Sequence, residues 1–326
     1  MAVPADDNTL PPDPPHVGGD LPYLRYRVRP RPRLTRHIVL FLLTLVTTTM
    51  VGAGHYASFL VDFGARLPAL TTMQLVLNGL WFSATILGIL GCHEFGHYFA
   101  CRYYGVDASL PYFIPAPPFF LFGTFGAVIR IRQRIPSKRM IFDIGIAGPI
   151  AGFVVAVPAL LVGIYLSRVV RVPPDFQGLA LGEPLLFKAA AYLLRGPIAE
   201  PYSLNLHPMA FAAWFGLLAT ALNLFPIGQL DGGHIAYAVL GRRSTLVTAA
   251  MVAGLVGLTF FSLSWLVWTV VTVGMLLTFG LRHPSTDDED VPLDRGRLWL
   301  ALAALVIFIV CFTPTPIEPL DLVGGR

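Results

Sequence analysis

Apolar runs of membrane-spanning length, separated by short basic segments, constrain this chain more than any other feature. A helix needs about 20 mostly apolar residues to cross a bilayer. Seven stretches approach or reach that length: 37–54, 73–100, 142–167, 208–228, 244–260, 264–281 and 298–314. The fifth and sixth are short and read as a tight hairpin around Phe261–Ser264. Composition agrees. The chain is 55% hydrophobic and only 13% charged, against roughly a quarter charged in soluble domains, and its mean hydropathy is +0.67. These values exclude a large soluble core and predict an α-helical polytopic membrane protein.

The charges orient it. With seven crossings and a cytoplasmic N-terminus, only Arg66, Arg168, Arg171, Lys188, Arg195 and Arg326 of the 23 Lys and Arg fall outside. That is a strong positive-inside bias. Residues 1–22, rich in Pro, Gly and acid, read as a flexible tail with little to bury. In 23–36, Arg alternates with Pro, Tyr, Leu and Val, as either an extended strip on an anionic surface or an ordinary basic flank. The first apolar run has no small-residue cleavage pattern and reads as an uncleaved anchor. The excess of Arg over Lys points to a GC-rich bacterial genome, hence a bacterial cytoplasmic membrane. Within 168–207, LGEPLLFKAAAYLLRG reads as an amphipathic helix lying on the bilayer. Cys92, Cys101 and Cys311 lie in apolar segments without paired spacing and read as packing residues, not a disulfide framework. The organisation expected is a Pro/Arg-rich cytoplasmic tail (1–36), an anchor and outer loop (37–72), a core (73–241) and C-terminal membrane helices (242–326).

The chemistry sits inside the second run. His93-Glu94-Phe95-Gly96-His97 is an HExxH pattern. Residues four apart on a helix share one face, so the two imidazoles can hold one Zn²⁺. Glu94, beside the first of them, can act as general base on a water acidified by the metal. Three ionisable groups in an apolar helix are costly and mark function.

Two imidazoles leave the coordination incomplete, because catalytic zinc takes three protein ligands and keeps one open position. The segment Ala221–His234 (ALNLFPIGQLDGGH) supplies candidates. Asp231 ends an otherwise apolar stretch, and Gly232 and Gly233 let the backbone approach closely. Pro226 breaks the helix ladder. Asn223 is placed to hold a substrate backbone or an oxyanion. His234 is the rival ligand, expected to face another side of the helix from Asp231.

HEFGH in one membrane helix and NLFPIGQLDGG in a later one together resemble the site-2 protease family of intramembrane metalloproteases, whose pattern is HExxH plus NxxPxxxLDG. GTFGAVIRI (123–131), DIGIAGPIAG (143–152) and the C-terminal RHPSTDDEDVPLDRGR and IFIVCFTPTPI are similar to the same family, in its branch without PDZ or CBS domains. The resemblance covers roughly residues 73–317. It implies one zinc per chain held by His93, His97 and Asp231, with Glu94 as the catalytic acid/base and Asn223 near the scissile bond. It further implies a three-helix metalloprotease core that hydrolyses peptide bonds in transmembrane segments. The expected substrates are single-span or signal-peptide-like membrane proteins, met in the lipid bilayer. No nucleic acid is expected as a partner, and the oligomeric state is not written in the sequence.

Two further segments bear on that core. Residues 107–132 hold too many prolines for a helix and too few charges for a free loop. They read as a re-entrant β-hairpin beside the core. The edge at Thr124, Phe125, Gly126 and Ala127 could pair with an extended substrate, or the loop could pack only on its own protein. Gly148-Pro-Ile-Ala-Gly152 suits close packing of the third span on the metal-bearing helices. Two other classes compete. A metal-dependent transporter or channel would use the same ionisable groups as a pathway, although no inverted repeat is visible. An inactive membrane scaffold would not require Glu94.

Overall fold

The computed structural model describes residues 34–63, 69–174, 176, 178–280 and 285–319. Of the tail expected over 1–36, residues 1–33 lie outside the described residues, as do the outer-loop Arg66 and Arg326, while 34–36 already belong to the first helix. Helix α1 (Leu34–Val61) is followed by α2 (Thr72–Tyr103). The α2 start is set by a capping box in which Thr71 and Gln74 exchange side-chain and main-chain hydrogen bonds, satisfying two otherwise orphaned N–H groups. The two helices pack through small and hydroxylated residues. Gly52 and Gly79 sit against each other's backbones, and Thr48 and Ser83 share a buried hydrogen bond of 2.7 Å. Such contacts hold helices together where apolar burial gives no advantage over lipid.

Strands β1 (Tyr112–Pro115) and β2 (Thr124–Val128) form an antiparallel hairpin, extended at its base by an Ala108–Ile131 bridge. The hairpin lies along α1. His37 Nδ1 meets Pro111 O at 3.0 Å, Thr47 donates to Gly123 O at 2.7 Å, and His55 Nε2 meets Leu121 O at 3.0 Å. From His37 to His55 is about 27 Å along a helix axis, so the hairpin runs beside most of a membrane-length helix. Gly123, at φ 65, allows the tip to touch α1, where a Cβ would sit 2.8 Å from Thr47 O.

Helix α3 (Lys138–Leu166) packs against α2 and contains Pro149 and Pro158. After it come β3 (Arg168–Arg171), β4 (Leu179–Leu181), α4 (Leu185–Arg195) and β5 (Tyr202–Asn205). The amphipathic helix expected in this stretch is α4, which buries Phe187 and Ala190 and exposes Leu185, Tyr192 and Leu193. Arg195 closes the end of α3 by donating to the carbonyls of Ile164, Tyr165 and Ser167, a charge-assisted C-terminal cap. The short strands have no counterpart in the sequence pattern. β3 pairs with β5, and β4 pairs with β6 (Ile317–Pro319) near the chain's end.

Helix α5 (Pro208–Asn223) runs through the main core, where Trp214 is fully buried with its indole N–H on Gly182 O at 2.7 Å. Helices α6 (Asp231–Leu240), α7 (Ser244–Leu258), α8 (Ser264–Phe279) and α9 (Arg295–Cys311) complete the fold. Every expected apolar segment contains a helix, but the boundaries differ in one consequential place. The fourth, expected over 208–228, ends at Asn223, and Asp231 opens a new helix instead of ending the old one. Pro226 has no N–H to donate, and it disfavours helical geometry in the residue before it.

Four helical runs have the length and apolarity to cross a membrane: Leu34–Val61, Thr72–Tyr103, Lys138–Leu166 and Asp231–Leu258. The last is not straight. A straight helix would carry Thr248 about 26 Å beyond Asp231, yet Thr248 Oγ1 donates to Pro226 O at 3.1 Å. The chain turns back at Gly241, φ 58, and α7 returns beside the break between α5 and α6.

Candidate metal centre

The pattern on α2 and the LDGG turn meet in space. His93 Nε2 and His97 Nε2 are 3.1 Å apart, and Asp231 Oδ2 lies 3.2 Å from the first and 3.3 Å from the second. Among the described residues, these three form the group whose ligand atoms converge closely enough to hold a metal ion. The triangle suits zinc. With zinc–nitrogen and zinc–oxygen bonds of about 2.0–2.1 Å, ligand atoms at tetrahedral corners lie about 3.3–3.4 Å apart. All three edges fall near that value.

The surroundings prepare the ligands. His97 Nδ1–H donates to Ile144 O at 2.6 Å, which fixes the tautomer and leaves Nε2 its lone pair for a metal. Pro149 has no N–H for the carbonyl of Gly145, the neighbour of Ile144, which loosens the α3 ladder beside it. Small residues on α3 admit the ligands. A Cβ on Gly148 would lie 2.1 Å from His97 Nε2, and one on Gly152 would lie 3.2 Å from His93 Cβ. The expected close packing of the third span on the metal-bearing helices is therefore a direct contact with the histidines themselves. His93, Glu94 and His97 are all less than 9% exposed.

Asn223, the last residue of α5, places its side-chain amide nitrogen 3.3 Å from His93 Nε2. Glu94 on α2 and Ile129 just after β2 line the same cavity, so helix and hairpin meet at the site itself. The cavity around these groups has a volume of about 600 Å³ and is lined by His93, Glu94, His97, Asn223 and Asp231. Val128, Ile129 and Ile131 form its hairpin wall, and Gln133, Arg134 and Ser285 lie at one end.

Some expectations need correction. His234 lines the same cavity as Asp231 rather than facing elsewhere, because residues three apart share a helix face; it is not in the convergent group. The four residues of the expected strand edge are placed differently from one another. Thr124 is buried and turned onto Ile114 O, Gly126 sits in a bulge at φ 101, and Phe125 is exposed. Of the four, Ala127 alone lines the cavity, and the edge beside the site continues through Val128 to Ile131. The alternation Ile129, Ile131 and Ile135 against Arg130, Arg132 and Arg134 carries that signal in the sequence. Cys101 and Cys311 are buried as expected, whereas Cys92 lies on the exposed face of α2.

Residues 81–264 match Peptidase family M50. The probable zinc metalloprotease EGY2, chloroplastic, of Arabidopsis thaliana is 31% identical over 251 residues, covering 74% of this chain and 43% of that protein. The protein of the same name from Oryza sativa subsp. indica is 30% identical over 260 residues, covering 77% and 46%. The probable zinc metalloprotease EGY1, chloroplastic, of Oryza sativa subsp. japonica is 30% identical over 305 residues, covering 86% and 50%. The chain thus spans about half the length of the curated relatives it matches, and no solved structure matches it. A convergent His-His-Asp triad beside a buried glutamate, within a matched segment that makes up more than half of the chain, gives the assignment: this chain belongs to Peptidase family M50.

Proposed function

We propose that this protein is an intramembrane zinc metalloprotease that hydrolyses peptide bonds in transmembrane segments of membrane proteins. The observation that carries the reading is the 3.1–3.3 Å triangle of His93, His97 and Asp231 with Glu94 beside it in one cavity. A zinc ion bound by that triad supplies Lewis acidity, polarising a carbonyl and acidifying water. Glu94 takes the proton from the attacking water and returns it to the departing amide nitrogen. Asn223, beside His93, donates to the carbonyl oxygen as negative charge develops on it. Carbonyls inside a helix are shielded by their own hydrogen bonds, so the substrate must unwind to reach the triad. The stretch Ala127–Ile131, which borders the cavity, offers an extended edge for the unwound segment.

The residue roles follow the same reading. His93, His97 and Asp231 are the ligands, Glu94 the acid/base, and the substrates single-span or signal-peptide-like proteins. The broken α5–α6 path supports counting it as one crossing, which gives seven crossings in all. With that count, the arginine distribution supports a cytoplasmic N-terminus in a bacterial cytoplasmic membrane and water entry from the basic end. Co-expression with a single-span substrate tests the proposal. Cleavage should occur with the wild type, stop with chelator, and stop with Glu94→Gln while zinc stays bound. Undiminished cleavage by Glu94→Gln would remove Glu94 from the mechanism.

A further inference from the structure

At one end of the cavity, an acidic segment between α8 and α9 crosses from α3 to α6. Its contacts with α3 are specific. Asp287 N–H donates to Pro136 O at 2.8 Å, and Asp288 receives the Ser137 hydroxyl at 2.7 Å and the Lys138 main-chain N–H at 2.8 Å. Asp288 therefore satisfies one of the N–H groups left open at the start of α3. Lys138 Nζ donates to the carbonyls of Glu289 and Val291 at 2.9 and 3.2 Å. On the α6 side, Thr286 N–H donates to Tyr237 OH at 3.0 Å, and Arg242 Nε meets Glu289 Oε2 at 3.1 Å. Arg134, at the cavity rim, donates to Ser285 O at 2.5 Å and pairs with Asp287 at 3.0 Å. Ser285 and Arg134 are both part of the cavity wall.

The two helices joined in this way are the ones that frame the site. α3 carries Ile144, Gly148 and Gly152 against the histidines, and α6 carries Asp231. The segment holds on by charge and hydrogen bonding, with Arg134 and Arg242 well exposed on their outer sides. Contacts of that kind open at lower cost than apolar packing and weaken with salt. We propose that residues 285–291 form an electrostatic latch that closes the basic end of the cavity by stapling α3 to α6, and that its release admits water-borne molecules to the site. This rests on the reading of the cavity as the active site.

The test uses the full chain, purified in detergent with zinc, carrying Cys92→Ala and the reporter Ile135→Cys in the cavity wall. A hydrophilic maleimide is applied, and labelling at each position is followed by peptide mass. Neutralising the latch with Asp287→Asn, Asp288→Asn and Glu289→Gln should speed labelling of the introduced thiol at least about fivefold, and salt should do the same in the unneutralised protein. Buried Cys101 and Cys311 should stay slow in both. Equal labelling of the introduced thiol with and without neutralisation overturns the proposal. So does a parallel rise at Cys101 and Cys311, since the segment would then be holding up the whole fold. Labelling requires no turnover, so its outcome is separate from whether the protein cleaves peptides.

Discussion

Replacing Gly148 by alanine should remove the metal without unfolding the protein. The added Cβ would lie 2.1 Å from His97 Nε2 and 2.5 Å from Cδ2 and Cε1. Non-bonded contact needs about 3.5 Å, so the ring must retreat by about 1.4 Å, or α2 and α3 must separate by as much. A zinc–nitrogen bond tolerates about 0.2 Å, so His97 would cease to be a ligand. Losing only an outer-shell partner typically weakens binding about 10- to 100-fold; losing a ligand should exceed 100-fold, or more than about 2.7 kcal/mol. Helix propensity runs the other way, alanine being better than glycine by about 1 kcal/mol, so helicity should survive. Gly152→Ala is the internal control. Its Cβ would meet His93 at 3.2 and 3.4 Å, a crowding relieved by a few tenths of an ångström, and binding should weaken less than about 10-fold. Zinc stoichiometry by metal analysis, chelator competition for affinity, and circular dichroism for the fold decide the matter. A Gly148→Ala protein with wild-type zinc affinity would refute the packing argument.

Three other outcomes follow from the same geometry. Asp231→Ala should lose stoichiometric zinc while His234→Ala retains it, as read by metal analysis. Asp143 is clasped by Arg297 at 2.9 and 2.5 Å and by the Tyr104 hydroxyl, so Asp143→Asn should cost about 1–3 kcal/mol, seen as a lower midpoint in thermal unfolding in detergent. Burial works to raise the pKa of the Asp288 carboxyl, but the hydrogen bonds from the Lys138 main chain and the Ser137 hydroxyl outweigh it and hold it below its ordinary value. A depressed carboxylate contributes its stability above the unfolded pKa of about 4 and loses it as pH falls through the folded value. Labelling of the cavity reporter, expressed relative to a free thiol at the same pH because the thiolate is the reacting form, should therefore rise as pH falls below about 4.

The parts of the site that chemistry ties to a fixed spacing are legible in the sequence. Two imidazoles on one metal need positions four apart, and an apolar helix tolerates a Glu between them only for a use. Asp231 stands out because a carboxylate followed by two glycines at the edge of an apolar run is costly to bury unless something charged meets it. What the sequence does not carry depends on partners distant in the chain. Ser137 and Lys138 give no local sign that Asp288 will meet them, and β4 and β6, three residues each, have too little pattern to reveal their pairing. His234 departs from expectation because positions 231 and 234, three apart in α6, share a helix face, where the expectation set them on different sides. The hairpin edge departs because the bulge at Gly126 shifts which residues reach the cavity.

The break between α5 and α6 explains why a carboxylate can sit where it does. In one unbroken helix over 208–240, the N–H groups around residue 231 would already be bonded to carbonyls one turn back, and the Asp231 side chain would stand alone in a low-dielectric core. Starting a helix at Asp231 changes both conditions. The first-turn N–H groups of α6 are open and their dipoles favour a negative charge at that end. Gly232 and Gly233 then let the new turn close on the loop before it, since a Cβ at either would lie 2.0 Å from Leu224 O or 2.3 Å from Gly228 O. Pro226 and the two glycines therefore act together: the proline ends one helix, the glycines let the next begin against it, and the carboxylate at the new start faces the two imidazoles of α2.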